Sequence, residues 1–542
     1  MDRLEVPNEE SILLKVQNGK DQTPNEQSSD ENGENKEESV DIIQKCIGVL
    51  GKWHLWICFI IFLVKFGVSW HQLSIVFLAP PVDYWCVNNA TDKCSPECTN
   101  FVYDTSVFAS TIVTEWNLTC SKSYLVNLTQ TITMLGILFG SVLFGYLSDK
   151  YGRKNPLVLA VTLQGLSGLG AAFSPWFSLF MVMKFLSAVA TGGTMITSFV
   201  LIMEIVGTEW RTVLGILYQI PFNVGHLLMP LISYYFRSWR HFQIIISAPA
   251  LALITYYWLL PESPRWQLAV GEKAAAVATL TKAAKRNGLP TETVAGDVEA
   301  YVTGRGAAGA AAQKGNIVDL FRTPIMRKYT LVLGFDWFVC GLCFFGVSQF
   351  VGQLGGNIFV NVAISAVIQI PSTLFACYAT KAWGRKKTMW ASNLLSAAAL
   401  LIMGFVPNDP AWIKTVLSSI GMFGMALAFP NVYIYSGELF PTVVRNVGVG
   451  FSSMCARVGS MIAPFVAATS AYGDWAPPVI FGAVALAGAA LSVKLPETLD
   501  CKLPDTIEEA EAFEVRLKMK GKMPDVAWKK RGSIFEEKEE QA

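Results

Sequence analysis

Twelve runs of about 20 mostly apolar residues constrain this chain most, because a helix of that length spans roughly 30 Å of hydrocarbon. They fall near 54–79, 129–148, 155–173, 177–205, 213–236, 241–260, 329–350, 357–380, 388–406, 411–436, 443–469 and 475–494. Inside lipid every backbone N–H and C=O needs a partner within the protein, so successive apolar runs of this length are read as membrane helices. The expected fold class is therefore all-α integral membrane, with twelve transmembrane helices in two six-helix bundles. Only 16% of the 542 residues are charged, against about 25% in soluble chains.

The remaining composition excludes several functions. Lys plus Arg (43) nearly cancels Asp plus Glu (42), so no overall basic charge points to nucleic acid. Four histidines (His54, His71, His226, His241) without HExxH or paired CxxC spacing make a metal site unexpected, and no cofactor is expected. No GxxxxGK[ST] loop is present to cradle phosphates, which argues against an ATP-driven pump. Nothing indicates covalent catalysis, so an enzyme is not expected.

Charge placement gives sidedness. Residues 1–45 are polar and acidic, too long for a signal peptide, and are expected to form a disordered cytosolic tail. With that tail inside, short inner loops carry Lys150, Arg153, Lys154, Arg211, Lys381, Arg385, Lys386, Lys387 and Arg445, whereas short outer loops carry only Arg237 and Arg240. This bias predicts both termini in the cytosol. Residues 80–128 then lie outside, where Asn89 and Asn117 head glycosylation sequons and Cys86, Cys94, Cys98 and Cys120 meet an oxidising compartment. Four cysteines suggest two disulfides, with three connectivities open. The third sequon, at Asn127, lies close to the second span, and the other seven cysteines are read as packing residues. The expected organisation is a first bundle over 46–260, a cytosolic linker over 261–328 with a helical stretch at Ala274–Ala284 and a flexible GRGAAGAAAQKG tract, a second bundle over 329–495 and a cytosolic tail over 496–542.

Three loop motifs recur in the second half. GYLSDKYGRK (145–154) returns as CYATKAWGRK (377–386), 232 residues later. Glu204 and Arg211 return as Glu438 and Arg445, each 234 later, and LPES (260–263) returns as LPET (495–498), 235 later. All sit at inner helix ends, so the halves read as parallel repeats. One departure matters: Asp149 is replaced by Lys381, so the second-half copy cannot make the same acid contact.

GYLSDKYGRK, PESPRW (261–266), GELFPTVVRNVGVG (437–450) and LPET together resemble the major facilitator superfamily, and most of all its organic cation, organic anion and carnitine transporter branch. The resemblance covers about 45–500, including the cysteine-bearing outer loop and WHQL (70–73). It implies the major facilitator fold, a central site and alternating access by rocking of the halves. Asp149, Arg153, Glu204, Arg211, Glu262, Arg385, Glu438, Arg445 and Glu497 are expected to form an ionic lattice that closes the cytosolic side. Each pair should contribute on the order of 1 kcal/mol or less.

Charges at membrane depth are costly and point to function. Arg457 lies twelve residues beyond Arg445, about 18 Å along a helix. The resemblance implies that an arginine at this place in the eleventh span holds a carboxylate, on an organic anion or a carnitine-like zwitterion. Gln369 stands where the resembling cation carriers have an acid, and Thr373 where anion carriers often have a base. Lys65 and Lys184 add positive charge, and Asp336 is the clearest acid within the spans apart from the gate residues. Tyr218 and Phe222 share one helix face, and Trp337, Phe344 and Ser348 another; with Phe345, Gln219, Asn223 and Tyr433 they complete the expected substrate-facing set. The expected function is plasma-membrane transport of a small organic ion of the organic cation or carnitine-like zwitterion class, with any co-transported ion undetermined. The alternatives are an organic-anion exchanger and a non-transporting receptor or scaffold. The expected partners are the substrate and the lipid bilayer, not nucleic acid.

Overall fold

The computed structural model describes residues 41–86, 94, 98, 100–307, 316–407, 409–499, 501, 504 and 506–511. Most of the expected first tail, Asn89, residues 308–315 of the linker and most of the last tail lie outside them. We label the spans α1 (Lys52–Leu73), α2 (Tyr124–Tyr151), α3 (Lys154–Ala172), α4 (Phe177–Ile205), α5 (Glu209–Tyr235) and α6 (Trp239–Leu259). In the second half they are α7 (Pro324–Phe350), α8 (Ile358–Ala382), α9 (Arg385–Phe405), α10 (Ala411–Leu439), α11 (Arg445–Ala467) and α12 (Ala476–Ser492). Among the described residues ten of these helices are long and apolar enough to cross a membrane by length and composition. Helices α3 and α12 take their places in the same two series of six.

Helix pairing reproduces the repeat seen in the sequence. In the first half α1 packs on α4 and α5, α2 on α4, and α3 on α4 and α6. In the second half α7 packs on α10 and α11, α8 on α10, and α9 on α10 and α12. Each pair is the other shifted by six helices. The halves meet through α2 against α11 and α5 against α8, which are themselves counterparts.

Small residues set how closely these helices approach. A Cβ on Gly140 would lie 1.9 Å from the Val189 carbonyl oxygen, and one on Gly341 would lie 2.0 Å from the Ala456 carbonyl oxygen. Only glycine permits those contacts, between α2 and α4 and between α7 and α11.

Spans α5 and α8 are each interrupted near a proline. Pro221 and Pro371 have no N–H for the carbonyls four residues earlier, so α5 breaks between Leu217 and Ile220 and α8 breaks at Ile368. Gln219 and Gln369 stand at these breaks.

The loop between α1 and α2 forms a two-stranded hairpin, β1 (Tyr84–Cys86) and β2 (Phe101–Tyr103), with Tyr84 opposite Tyr103. Of the three connectivities, the structure has Cys86–Cys98 and Cys94–Cys120. Backbone bonds from Ala109 to Arg237 (3.1 Å) and from Trp239 to Ser110 (3.1 Å) fasten the loop to the α5–α6 turn. Exposed Asn117 ends the short helix Ile112–Trp116 in the left-handed conformation (φ 49°). At this end of the bundle the Phe359 ring of α8 meets Phe77 at 5.9 Å, Phe108 of the loop at 5.6 Å and Tyr234 of α5 at 5.5 Å.

The opposite end carries the linker. Its helices are Pro264–Ala269, Lys273–Asn287, which contains the expected helical stretch Ala274–Ala284, and Val294–Ala307, which runs into the first residues of the GRGAAGAAAQKG tract. The described residues also begin before residue 46. Asp41 caps the helix Ile42–Ile47, and Asn287 receives the Trp53 N–H (2.8 Å) while donating to the Ile47 carbonyl (2.8 Å). Helix α7 starts at Pro324, five residues before the expected boundary, because proline at its first position needs no backbone donor.

Candidate central site and the charged clusters

The two halves exchange polar contacts at the breaks in α5 and α8, and again where Thr131 of α2 donates to the Met461 carbonyl of α11 (3.0 Å). Asn223 Nδ2 donates to the Gln369 carbonyl (3.2 Å) and to Thr373 Oγ1 (2.8 Å), and the Gln369 amide faces His226 Nδ1 at 3.0 Å. Gln369 is therefore a joint between halves, fully buried, with its Oε1 and the His226 Nε2 unpartnered among the described residues. His226 was not singled out in the sequence, although a buried histidine one turn beyond Phe222 on a membrane helix was a usable signal.

Beside this joint, Lys65 of α1 reaches toward α5. Its Nζ donates to Gln219 Oε1 (3.3 Å) and lies 3.9 Å from the Tyr218 ring centroid and 5.9 Å from that of Phe222. The Tyr218 hydroxyl is in turn hydrogen-bonded to Ser198 of α4. From the second half come Phe344, Phe429 and Tyr433. The Phe344 ring lies 6.3 Å from Phe222, and Tyr433 lies 6.5 Å from Phe199, so aromatic side chains of both halves face each other. Phe429 and Phe199 were missed in the sequence, where single aromatics in a span look like packing. Trp337 is completely buried, donates its indole N–H to Ser436 Oγ (2.8 Å) and stands 4.2 Å behind the Tyr433 ring, supporting it. Phe345 packs edge-on against Phe344 at 5.4 Å.

Arg457 is 6% exposed and lies within electrostatic reach of both Tyr433 and Lys65. Among the described residues no carboxylate pairs with Arg457 or Lys65. The remaining span charges lie elsewhere. Lys184 donates to Ser74 Oγ (2.9 Å) inside the first half. Asp336 accepts from Asn393 Nδ2 of α9 (3.3 Å), and its Oδ1 would be 3.4 Å from a Cβ on Gly488 of α12, which places it inside the second bundle.

The charged motif residues form two clusters. Arg153 bonds Glu204 (2.7 Å) and Asp149 (3.0 Å), and Arg385 bonds Glu438 (2.7 Å). Glu262 and Glu497 do not join these ion pairs as expected. Each accepts backbone N–H bonds at a helix start, Glu262 from Arg153 (2.7 Å), Lys154 (3.2 Å) and Ser263 (2.8 Å), and Glu497 from Arg385 (2.8 Å), Lys386 (3.2 Å) and Thr498 (3.0 Å). The helix N-terminus favours a carboxylate there. Gly152 (φ +90°) and Gly384 (φ +88°) are required twice over, because a Cβ would also strike the Glu262 or Glu497 carboxylate at 2.3 or 2.4 Å. Burial pushes the Glu262 carboxyl above its ordinary pKa, opposed by the backbone N–H groups. Burial also disfavours the Arg153 charge, but Glu204 and Asp149 more than offset it and hold its pKa above the ordinary value.

The expected single lattice across the cytosolic side is thus corrected. Among the described residues the ion pairs of these motifs stay within their own halves. Arg211 donates to the Val206 carbonyl (3.2 Å) and pairs with Asp41, which Arg265 also holds, while Arg445 donates to the Phe440 carbonyl (3.2 Å) and to Thr442 Oγ1 (3.1 Å).

A family model described as "Sugar (and other) transporter" matches residues 84–509. The chain belongs to this transporter family. The transporter is 37% identical over 420 residues to the organic cation transporter protein of Drosophila melanogaster, covering 77% of each chain. It is 34% identical over 448 residues to organic anion transporter 3 of Sus scrofa, covering 82% of each. Solute carrier family 22 member 3 of Mus musculus is 35% identical over 404 residues, 74% of this chain and 72% of that one. Among solved structures, the inward-open xylose transporter XylE from E. coli superposes with a TM-score of 0.60 at 19% identity, covering 85% of the transporter and 99% of that chain. That likeness establishes the major facilitator fold. The transporter is a multi-pass membrane protein and not an enzyme.

Proposed function

We propose that the transporter carries small organic ions bearing a carboxylate across the plasma membrane by alternating access, with both termini in the cytosol. The observation that carries the reading is Arg457, buried at the centre of the membrane without a carboxylate partner among the described residues. An unpaired buried guanidinium is costly, and a substrate carboxylate would supply the missing charge and two hydrogen bonds. The rings of Phe344, Phe429 and Tyr433 offer flat apolar faces for the rest of the substrate, and they would also accept an ammonium. A carnitine-like zwitterion and an organic anion both fit this description. The names of relatives, organic cation transporter and organic anion transporter, support the organic-ion class. A receptor or scaffold is disfavoured, because both halves keep their helix-end clusters and a breakable polar joint between them.

The disulfide-bonded loop supports an extracellular position for its end of the bundle, where Asn89 and Asn117 would be glycosylated. The charged clusters would then lie in the cytosol. We assign them the gating role in a modified form: each ties several helix ends of one half together, so that each half rocks as a unit. The test is uptake of radiolabelled hippurate by Arg457→Ala at matched surface expression. A loss of about tenfold or more is expected from removing a charge-assisted contact. Unchanged uptake would exclude Arg457 as the carboxylate site.

A further inference from the structure

An incoming organic ammonium would need π faces and an amide or carbonyl oxygen turned toward it. The first half provides such a place at the centre of the membrane, where the rings of Tyr218 and Phe222 stand beside Gln219 Oε1. The chain's own ammonium already occupies it: Lys65 Nζ is 3.9 Å from the Tyr218 centroid, 5.9 Å from that of Phe222 and 3.3 Å from the Gln219 oxygen. Lys65 is only 2% exposed, so these contacts are made out of water. Arg457 of the other half lies within electrostatic reach of it, so the two charges repel, with no acid paired to either among the described residues. Two buried cations so placed favour an occupant with negative charge and oppose one that brings a third positive charge.

We propose that Lys65 is a built-in cation filling the ammonium subsite of the transporter, and that it sets selectivity by turning away free organic cations while presenting, with Arg457, two positive charges to an anionic substrate. This deepens the carboxylate reading of Arg457, on which it rests, and chooses the anion over the zwitterion. Lys65→Met would keep the apolar stem, empty the aromatic face and leave one cation in the site. Lys65→Arg would keep the charge.

The experiment measures uptake of radiolabelled hippurate and tetraethylammonium in cells expressing wild type, Lys65→Met, Lys65→Gln, Lys65→Arg or Arg457→Ala, each normalised to surface protein. In Lys65→Met and Lys65→Gln the ratio of tetraethylammonium to hippurate uptake should rise about tenfold, as expected for one desolvated cation–π contact made available. Lys65→Arg should keep the wild-type ratio. In the wild type, tetraethylammonium should leave hippurate uptake unchanged, a result that depends on no variant's folding. An unchanged ratio in both neutral variants, or competition by tetraethylammonium in the wild type, would overturn the proposal. Hippurate uptake lost in Arg457→Ala with the ratio unmoved by Lys65→Met would remove the role of Lys65 and keep the carboxylate reading. Hippurate uptake retained in Arg457→Ala would remove that reading itself.

Discussion

At the linker end, Arg153 of the first half and Arg385 of the second have closely matching surroundings. Each bonds a glutamate of a neighbouring span at 2.7 Å, and each offers its backbone N–H to the glutamate of a PES or PET motif, at 2.7 and 2.8 Å. Each follows a glycine with φ near +90°. At the centre of the membrane the halves part. The first contributes Lys65 from α1 and rings from α4 and α5, whereas the second contributes Arg457 from α11 and rings from α7 and α10. The counterpart of α1 is α7, not α11, so the two cations are not copies of each other. Duplication has kept the parts that hold helix ends together, and divergence has collected where a substrate must be told from its competitors.

The comparison should break most visibly where counterpart helix pairs approach to different distances. Helices α7 and α11 correspond to α1 and α5. A Cβ on Gly341 would lie 2.0 Å from a backbone oxygen of α11, whereas one on Gly225 of α5 would meet Ser69 Cβ of α1 at 3.1 Å and Phe66 Cα at 3.3 Å. Backbone cannot retreat as a flexible side chain can. Gly341→Ala should therefore cost upward of ~3 kcal/mol and abolish surface expression, with Gly225→Ala near ~1 kcal/mol. Surface biotinylation of the two variants measures this, and equal expression would show that the seams tolerate equal crowding.

Next in size are the arginines. Arg153→Ala and Arg385→Ala each take the guanidinium from a glutamate whose side chain is only 18% or 17% exposed, although Glu438 keeps the Thr498 hydroxyl at 2.6 Å. Each should destabilise the transporter by about 3 kcal/mol, the low end for breaking a buried pair. Thermal unfolding of the purified variants should give midpoints lowered by similar amounts. A large loss in one half only would mean that the clusters, alike in geometry, carry different loads.

How much of this was legible in the sequence follows from the range over which each signal acts. The spans were readable because apolar length is a local property, and the repeat was readable because Gly152, Arg153, Glu204 and Glu262 recur at nearly one offset. The pairing within each half was not, since a charge at a helix end gives no indication of which neighbour it faces. The sequence sets Glu262 and Glu497 among the ion pairs, because it shows acids and bases but not the free N–H groups of a helix start. Lys65, Tyr218 and Gln219 were each nominated separately. Their assembly needed the break before Pro221, which turns two adjacent α5 residues toward the same ammonium.

The smallest effect belongs to Asp149, whose counterpart in the second linker-end motif, Lys381, carries the opposite charge. Asp149 bonds Arg153 at 3.0 Å, but its side chain is 78% exposed, so water and salt screen most of the attraction. In the second half Lys381 stands there, and Arg385 turns its remaining nitrogen to the Thr380 carbonyl at 3.3 Å. Arg153 likewise reaches the Ser148 carbonyl, at 2.6 Å, so the guanidinium keeps a backbone acceptor in both halves. Asp149→Asn should therefore shift stability by no more than ~0.5 kcal/mol, and Lys381→Asp should add a pair of similar worth four residues before Arg385. Unfolding midpoints at low and high salt test this, with any difference from wild type shrinking as salt is added. If Asp149→Asn left unfolding untouched but slowed hippurate uptake severalfold, Asp149 would have a partner in another state of the transport cycle. The matching geometry of the two arginine clusters would then conceal a functional difference between the halves.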